Sequence, residues 1–493
     1  MNAQDNDIDI FALTDSHQEA RKLCCLFSGI IANAKPHGRG ALILDCGDLF
    51  KGIYDRQLCV DSYLKLRRQL PEAKIVIAVG NNDFGFNHKD FAFLQETASQ
   101  FNKANIHILC ANLRNNKSGT YPKWVDPYIL LNINGKKIMV TAFCINQIRL
   151  QRYGIRLVDI PSAFLELEDT IKYIAPDALI VLNHALEPSS RKICELARQH
   201  QLPVDLVIGG HEHSLVAPDA QYRIYYPQAF SRTMWHLKMQ IAAHKTAISK
   251  QEELSCKAFE MHKIFEPDVV EYEEKSGLNI PIARSTLNLE RNYAAPSPLG
   301  TFITDVMKEA AHATIGILST GYIIHALRYE EGKMLTHYNL ERAFSADVPL
   351  QTVAVHPAEL KAVFENAVRN RYIQKDGNTR FLQCSQNLAY SCFCDENNEG
   401  HIKQIYINGD ALLNEEGKPL HPEHIIVCAV DPFVGAGEQG FDVLRHLGKE
   451  TIMRDNQMVK IKELFIQAVK DAEHKYKKGS SYPSFKIIDL SAQ

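Results

Sequence analysis

Over its first 215 residues the chain repeats one pattern. A short apolar run, rich in β-branched residues, stops at a polar residue, and a stretch with apolar positions at helical spacing follows. The apolar runs lie at 8–14, 41–44, 75–79, 178–182 and 206–208, and helix-like stretches lie at 17–34, 55–69 and 190–201. Apolar runs without polar alternation predict strands buried on both faces. Strands alternating with helices predict an α/β domain. Residues 128–144 differ, because Asn134-Gly135 sits between two apolar runs and so predicts a hairpin.

The pattern then changes. Residues 250–276 are charge-dense with some helical spacing, which fits a connecting helix or linker, or one more surface helix of the first domain. Three segments are expected: a first domain over 1–250, a linker over 251–283 and a second domain over 284–493. In the second, 299–313 and 460–476 read as helices, and 351–355, 402–407 and 424–429 as strands.

Composition narrows the class. With 493 residues, 45% hydrophobic and 23% charged, the chain has ample material for buried cores. No apolar run approaches the roughly 20 residues of a membrane span. The net charge of −3 argues against a nucleic-acid binder, and no basic, aromatic-lined groove is visible that would suit a nuclease. No basic segment precedes a long apolar one at the amino terminus, so no secretory signal is expected. The twelve cysteines are scattered without a CxxC, which suggests reduced thiols and a cytoplasmic protein.

The residues that end the apolar runs carry the chemistry. The runs stop at Asp15-Ser16-His17, Asp48, Asn81, His184 and His211-Glu212-His213. Asp15, Asp48 and Asn81 recur 33 residues apart, about one βαβ unit. Taken singly, an Asp at a strand end is a turn or cap residue and a His is a packed side chain. Taken together, seven donors at equivalent strand ends point to one ligand site, because open α/β sheets bind ligands at the carboxyl ends of their strands. Two Asp, one Asn and four His suit two divalent cations such as Mn, Fe, Zn or Ni. A close pair of cations activates water and clamps a phosphoryl group, so phosphoester hydrolysis is the expected chemistry.

In order and residue type, DSH, GDLF, GNND, NH and GHEH resemble the calcineurin-like metallophosphoesterases. Residues 297–305, Ala343-Phe344, 381–385 and the stretch from Asp431-Pro432-Phe433 to Gly440-Phe441 resemble the C-terminal domain of bacterial 5′-nucleotidases and UDP-sugar hydrolases. The resemblance implies an N-terminal α/β sandwich of two β-sheets flanked by helices, followed by an α+β substrate domain. It implies that Asp15, His17, Asp48 and His213 hold one metal and that Asp48, Asn81, His184 and His211 hold the other. It implies that Phe344 and Phe433 stack on the base of a small, nucleotide-like phosphorylated substrate.

The sequence also departs from the family. Where the family's nucleotidases read Gly-Asn-His-Glu-Phe-Asp, this chain reads Gly80-Asn81-Asn82-Asp83-Phe84-Gly85. Asn82, the expected catalytic contact to a phosphate oxygen, donates a hydrogen bond but gives up no proton. Losing a general acid costs roughly 10²–10⁴-fold in rate. Asp83 and His88 are possible stand-ins, each also readable as a turn or surface residue. In the second domain Ala346 replaces a family Asn, and Glu438-Gln439 interrupt a Gly-rich loop. The expectation is a dinuclear phosphoesterase for diesters, pyrophosphate-linked nucleotides or other esters with good leaving groups. The alternative is a weakened or inactive homologue that binds metal or nucleotide as a regulatory module.

Overall fold

A computed structural model describes residues 7–491, apart from 53, 86, 146–147, 214, 243–244, 345–346, 374–380, 397–398 and 438–439. Ala346, Glu438 and Gln439 therefore lie outside the described residues. Two compact units divide the chain, Met1–Lys275 and Ser276–Gln493.

The first unit begins β1 (Ile8–Leu13), α1 (Ala20–Asn33), β2 (Ala41–Asp45), α2 (Arg56–Gln69), β3 (Lys74–Ala78), α3 (His88–Lys103) and β4 (Ile106–Leu109). It continues with β5 (Leu113–Asn115), β6 (Tyr128–Ile133), β7 (Lys136–Cys144), β8 (Ile155–Leu157), α4 (Ile160–Leu165) and α5 (Glu168–Ile174). It closes with β9 (Ala178–His184), α6 (Glu187–Gln199), β10 (Val204–Gly210), β11 (Ile224–Tyr225), β12 (Thr233–Ala242), β13 (Lys245–Ser255) and α7 (Glu266–Ser276). Every apolar run singled out in this region is a strand, and Asn134-Gly135 turns the β6–β7 hairpin.

Six strands form one sheet in the order β13-β12-β1-β2-β3-β4, and five form a second in the order β11-β10-β9-β7-β6. β1 to β4 are mutually parallel, as are β7, β9, β10 and β11. The sheets pack face to face over a core that includes Ile10, Leu42, Leu44, Val76, Val140, Ile180, Leu182 and Ile208. Aligned sheets pack about 10 Å apart in this way. The other face of the second sheet (Met139, Phe143, Leu179, Val181) is covered by α4 to α6 through Phe164, Leu167, Ile171 and Ile193. Both faces of β9 are therefore dry, which is why 178–182 reads as an unbroken apolar run rather than as an alternation.

The charge-dense stretch resolves into two elements. Residues 251–255, placed in a linker on sequence, end β13, which pairs antiparallel with β12. On this edge strand Gln251, Glu252 and Glu253 are all exposed, so the apolar signal is weak and the charges dominate the reading. Helix α7 then packs on the first unit. Its buried Glu273 accepts hydrogen bonds from Arg21 and from the hydroxyl of Tyr54, and Lys65 donates to Asp268. Phe265, just before α7, lies against Phe27.

The second unit is built around a five-stranded sheet in the order Leu382–Cys384, Ile315–Ser319, Ile426–Val430, Gln351–Val355 and Lys449–Thr451. A four-stranded sheet contains Asp410–Ala411, Gly400–Ile407, Leu388–Cys394 and Lys486–Asp489. Helices Pro298–Ala310 and Ile461–Lys475 share one apolar core through Leu299, Phe302, Ile303, Phe465 and Val469. No disulfide joins any described cysteine. Among the described residues no helix is long and apolar enough to cross a membrane.

Removing a partner from a buried hydrogen-bond network costs about 1–3 kcal/mol. Glu273→Ala is therefore expected to lower the unfolding free energy of the chain by that amount in urea denaturation. Glu271→Ala on the exposed face of the same helix, which removes only an (i, i+4) pair with Lys275, is expected to stay within about 0.5 kcal/mol.

Candidate metal centre

The carboxyl ends of five strands meet at one end of the sandwich. Asp15 and His17 follow β1, Asp48 follows β2 and Asn81 follows β3. His184 is the last residue of β9, and His211 and His213 follow β10. The structure brings together all seven donors singled out in the sequence. Asp15, Asp48 and His184 are fully buried, and His17 and Asn81 nearly so.

The donors fall into two groups. Asp15, His17, Asp48 and His213 each offer an atom within 4.8 Å of all the others, as do Asp48, His184 and His211. Asp48 belongs to both groups. In the first, His17 Nε2 lies 3.0 Å from His213 Nε2, which is itself 3.3 Å from Asp15 Oδ1. In the second, His184 Nε2 lies 3.4 Å from Asp48 Oδ2. Asn81 Oδ1 stands 2.8 Å from His211 Nδ1 and 3.1 Å from His184 Nε2.

Backbone partners set the direction of the rings. His184 Nδ1 is 2.7 Å from the Cys46 carbonyl oxygen, and His17 Nδ1 is 3.2 Å from that of Lys51. A carbonyl accepts but never donates, so each Nδ1 carries a proton and each Nε2 faces inward, where it ligates in its unprotonated form. Asp15 is held similarly. Its Oδ2 accepts from the Thr14 hydroxyl (2.6 Å) and the His211 backbone N–H (2.9 Å), which leaves Oδ1 facing His213. The site thus gathers lone pairs and carboxylate oxygens that repel one another unless a cation or protons lie between them. This donor set fits divalent metal, and partners of this kind on the far ring nitrogen are the usual support of ligating histidines.

The electrostatics agree. Burial alone would raise the carboxyls of Asp15 and Asp48, yet His184 and its neighbouring histidines hold both well below the usual range. Burial opposes a charge on His184, but Asp48 and Asp15 overcome it and push the imidazole up to about 10. His211 is pushed down to about 4 by burial and by the charge on His184.

The loops that carry these donors are unusually bent. Asp15, His17, Asp48 and His211 all have positive φ, at 46°, 47°, 60° and 71°. Non-glycine residues held there cost of order 1–3 kcal/mol each and persist only where the surroundings over-determine them. Asp83 supplies much of that constraint. Its buried carboxylate accepts the backbone N–H groups of Asp48 (2.9 Å), Leu49 (2.7 Å), Phe50 (3.0 Å) and Gly80 (2.8 Å). Burial and the charge of Asp48 push its carboxyl up to about 7, against the four donors that favour the ionised form. Gly80 lets the loops close, since a Cβ there would collide with the Asp48 backbone and carboxylate.

Asp83 was readable in the sequence only as a turn residue or a stand-in for the missing histidine. Its role is to position the Asp48 loop, and no spacing rule signals that. His88 opens α3 on the surface, with its ring edge against Tyr153. Asn82 sits beside the cluster, where its backbone N–H and its Nδ2 donate to the two oxygens of Asp48 at 2.7 and 2.6 Å. The stacking role expected of Phe344 meets a different placement. Phe344 is only 4% exposed and is enclosed by Tyr322 and Phe465 in the core of the second unit. A ring so enclosed offers no free face to a base. Phe433 packs at the margin of the same cluster and is half-buried.

Two outcomes follow from this geometry. Asparagine cannot accept four N–H bonds as a carboxylate does, so Asp83→Asn is expected to weaken manganese binding 10–100-fold in equilibrium dialysis, the usual cost of losing a support to a ligand. His184, pushed to about 10, holds a proton at neutral pH that must leave before Nε2 can ligate. Metal uptake is therefore expected to release about one proton per chain and to strengthen as pH rises from 6 to 9, as measured by calorimetry in buffers of different ionisation enthalpy.

Comparison with known proteins agrees with this organisation. Residues 8–215 match the family described as calcineurin-like phosphoesterase, and residues 278–446 match the 5′-nucleotidase C-terminal domain. The chain is 22% identical over 462 residues to the trifunctional nucleotide phosphoesterase protein YfkN of Bacillus subtilis. That match covers 82% of this chain but 30% of the relative, so the chain spans less than a third of that protein's length. Among solved structures, a 5′-nucleotidase precursor from Thermus thermophilus superposes with a TM-score of 0.73 at 16% identity, covering 98% of this chain and 99% of that one. The sulfate thiohydrolase SoxB of Thermus thermophilus gives 0.69 at 14% identity, covering 95% and 82%. At such identities the likeness establishes the fold. The chain therefore joins a calcineurin-like phosphoesterase domain, over residues 8–215, to a 5′-nucleotidase C-terminal domain, over residues 278–446.

Proposed function

We propose that the chain hydrolyses phosphate esters of nucleotide-like substrates with the help of two divalent cations. In this reading Asp15, His17, Asp48 and His213 hold one cation, and Asp48, Asn81, His184 and His211 hold the other. The observation that carries it is the membership of the Asp48 carboxylate in both donor groups. A pair of such cations activates water and neutralises charge on a transferring phosphoryl group.

The chain's own residues limit the substrate. Asn82 cannot protonate a leaving oxygen, and His211, a metal ligand in this reading, is not free to serve as the acid. The site therefore suits esters whose leaving groups depart without protonation, such as phosphodiesters and pyrophosphate-linked nucleotides.

One observation favours a second reading, a binding module without turnover. The Asn82 side-chain NH2 is already engaged by the Asp48 carboxylate. Restoring the relatives' motif at both altered positions is not a clean test of that reading. Gly85 has φ +69°, and a Cβ there would collide with the Asp90 side chain. Asn82→His alone avoids that strain.

Manganese-loaded protein is expected to hydrolyse bis-(p-nitrophenyl) phosphate. Chelator or His211→Ala is expected to reduce the rate at least about 10²-fold, the scale of losing a group that acts in the transition state. Asn82→His is expected to raise turnover of monoesters with poor leaving groups. Equal inertness of wild type and His211→Ala across manganese, zinc, iron and nickel would favour the binding module.

A further inference from the structure

We propose that Lys51 is a catalytic residue of this site, its ammonium contacting the phosphoryl oxygens where relatives present the histidine that is Asn82 here. The inference rests on the phosphoesterase reading above.

The loop that carries Lys51 is fixed on several sides. The N–H groups of Leu49 and Phe50 are held by Asp83, and the Gln18 N–H donates to the Leu49 carbonyl at 3.0 Å. The Lys51 carbonyl accepts from His17 Nδ1. Gly52 lies so close to the His17 carbonyl that a Cβ would collide with it. These contacts place the Lys51 backbone beside the metal centre with little freedom to drift.

From there the side chain is directed at the altered position. Lys51 Nζ donates to Asn82 Oδ1 at 3.3 Å, and Asn82 Nδ2 donates to Asp48 Oδ2 at 2.6 Å. The amide thus turns its oxygen to the ammonium and its NH2 to the carboxylate, as the chemistry of each group requires. The positive charge stands two hydrogen bonds from the carboxylate shared by both donor groups. A histidine at position 82 would supply a ring N–H to a phosphoryl oxygen. Asparagine in its place supplies a neutral amide, and the half-buried lysine beside it supplies the charge.

An ammonium so placed makes charge-assisted hydrogen bonds to phosphate oxygens, roughly twice as strong as neutral ones. It acts as a fixed charge and transfers no proton, which is consistent with the expectation of good leaving groups. A donor aimed at developing charge in a site of this kind is worth about 10²–10³ in kcat.

The test uses the full-length, manganese-loaded protein and two substitutions, Lys51→Met and Lys51→Arg. Calorimetric titration with inorganic phosphate reads the contact without turnover, and hydrolysis of bis-(p-nitrophenyl) phosphate reads catalysis. Lys51→Met is expected to retain the wild-type manganese content, to bind phosphate at least about tenfold more weakly and to lose about 10²-fold in kcat with a smaller change in KM. Lys51→Arg is expected to recover most of the phosphate affinity. Wild-type phosphate affinity and kcat in Lys51→Met overturn the proposal. So does loss of manganese in that variant, which would make Lys51 a support for the metal ligands. A wild type that binds phosphate through Lys51 but hydrolyses no ester refutes the phosphoesterase reading and leaves this contact standing. A wild type that binds no phosphate refutes the contact.

Discussion

The candidate site depends on one electrostatic constraint: the Asp48 carboxylate must remain ionised in a place from which water is excluded. A lone buried carboxylate would take up a proton. Asp48 does not, because His184 and His17 surround it and two Asn82 donors satisfy its oxygens. Removing any one of these partners returns the cost of a buried charge to the others. The site is therefore one coupled unit, and contributions from single residues will not add.

Holding that carboxylate in place requires backbone that the chain would not otherwise adopt. Four of the seven donors occupy left-handed conformations, and the surrounding hydrogen bonds over-determine them. Asp83 gathers four N–H groups from two separate loops, and glycines admit the close approaches. Apolar packing between the sheets supplies the rigidity, since the strands that launch these loops have dry faces. The ordinary part of the fold thus supports the strained part.

The strands, the hairpin and the seven donors were legible because each follows from a local rule. Burial on both faces erases polar alternation in β1 to β3 and β9, and a ligand at a strand end must be a donor residue. What was not legible depends on contacts distant in sequence. Asp83 reads as a turn residue until the loops after β2 and β3 are seen to meet on its carboxylate. The end of β13 reads as linker because an edge strand carries charges at its solvent-facing positions. Phe344 reads as a stacking ring from a short motif, yet whether an aromatic residue meets ligand or core depends on what covers it, and Tyr322 and Phe465 cover this one.

The division of donors between the two sheets has a consequence for tuning. Asp15, His17, Asp48 and Asn81 hang from one sheet, whereas His184, His211 and His213 hang from the other. The gap between the two sets is measured out by the side chains that separate the sheets, Ala12, Leu44, Ala78, Leu182 and Ile208 among them. That layer works as a calliper. Its thickness sets how far apart the opposing donors stand, so substitutions among methyl groups that never touch the site can widen or narrow it.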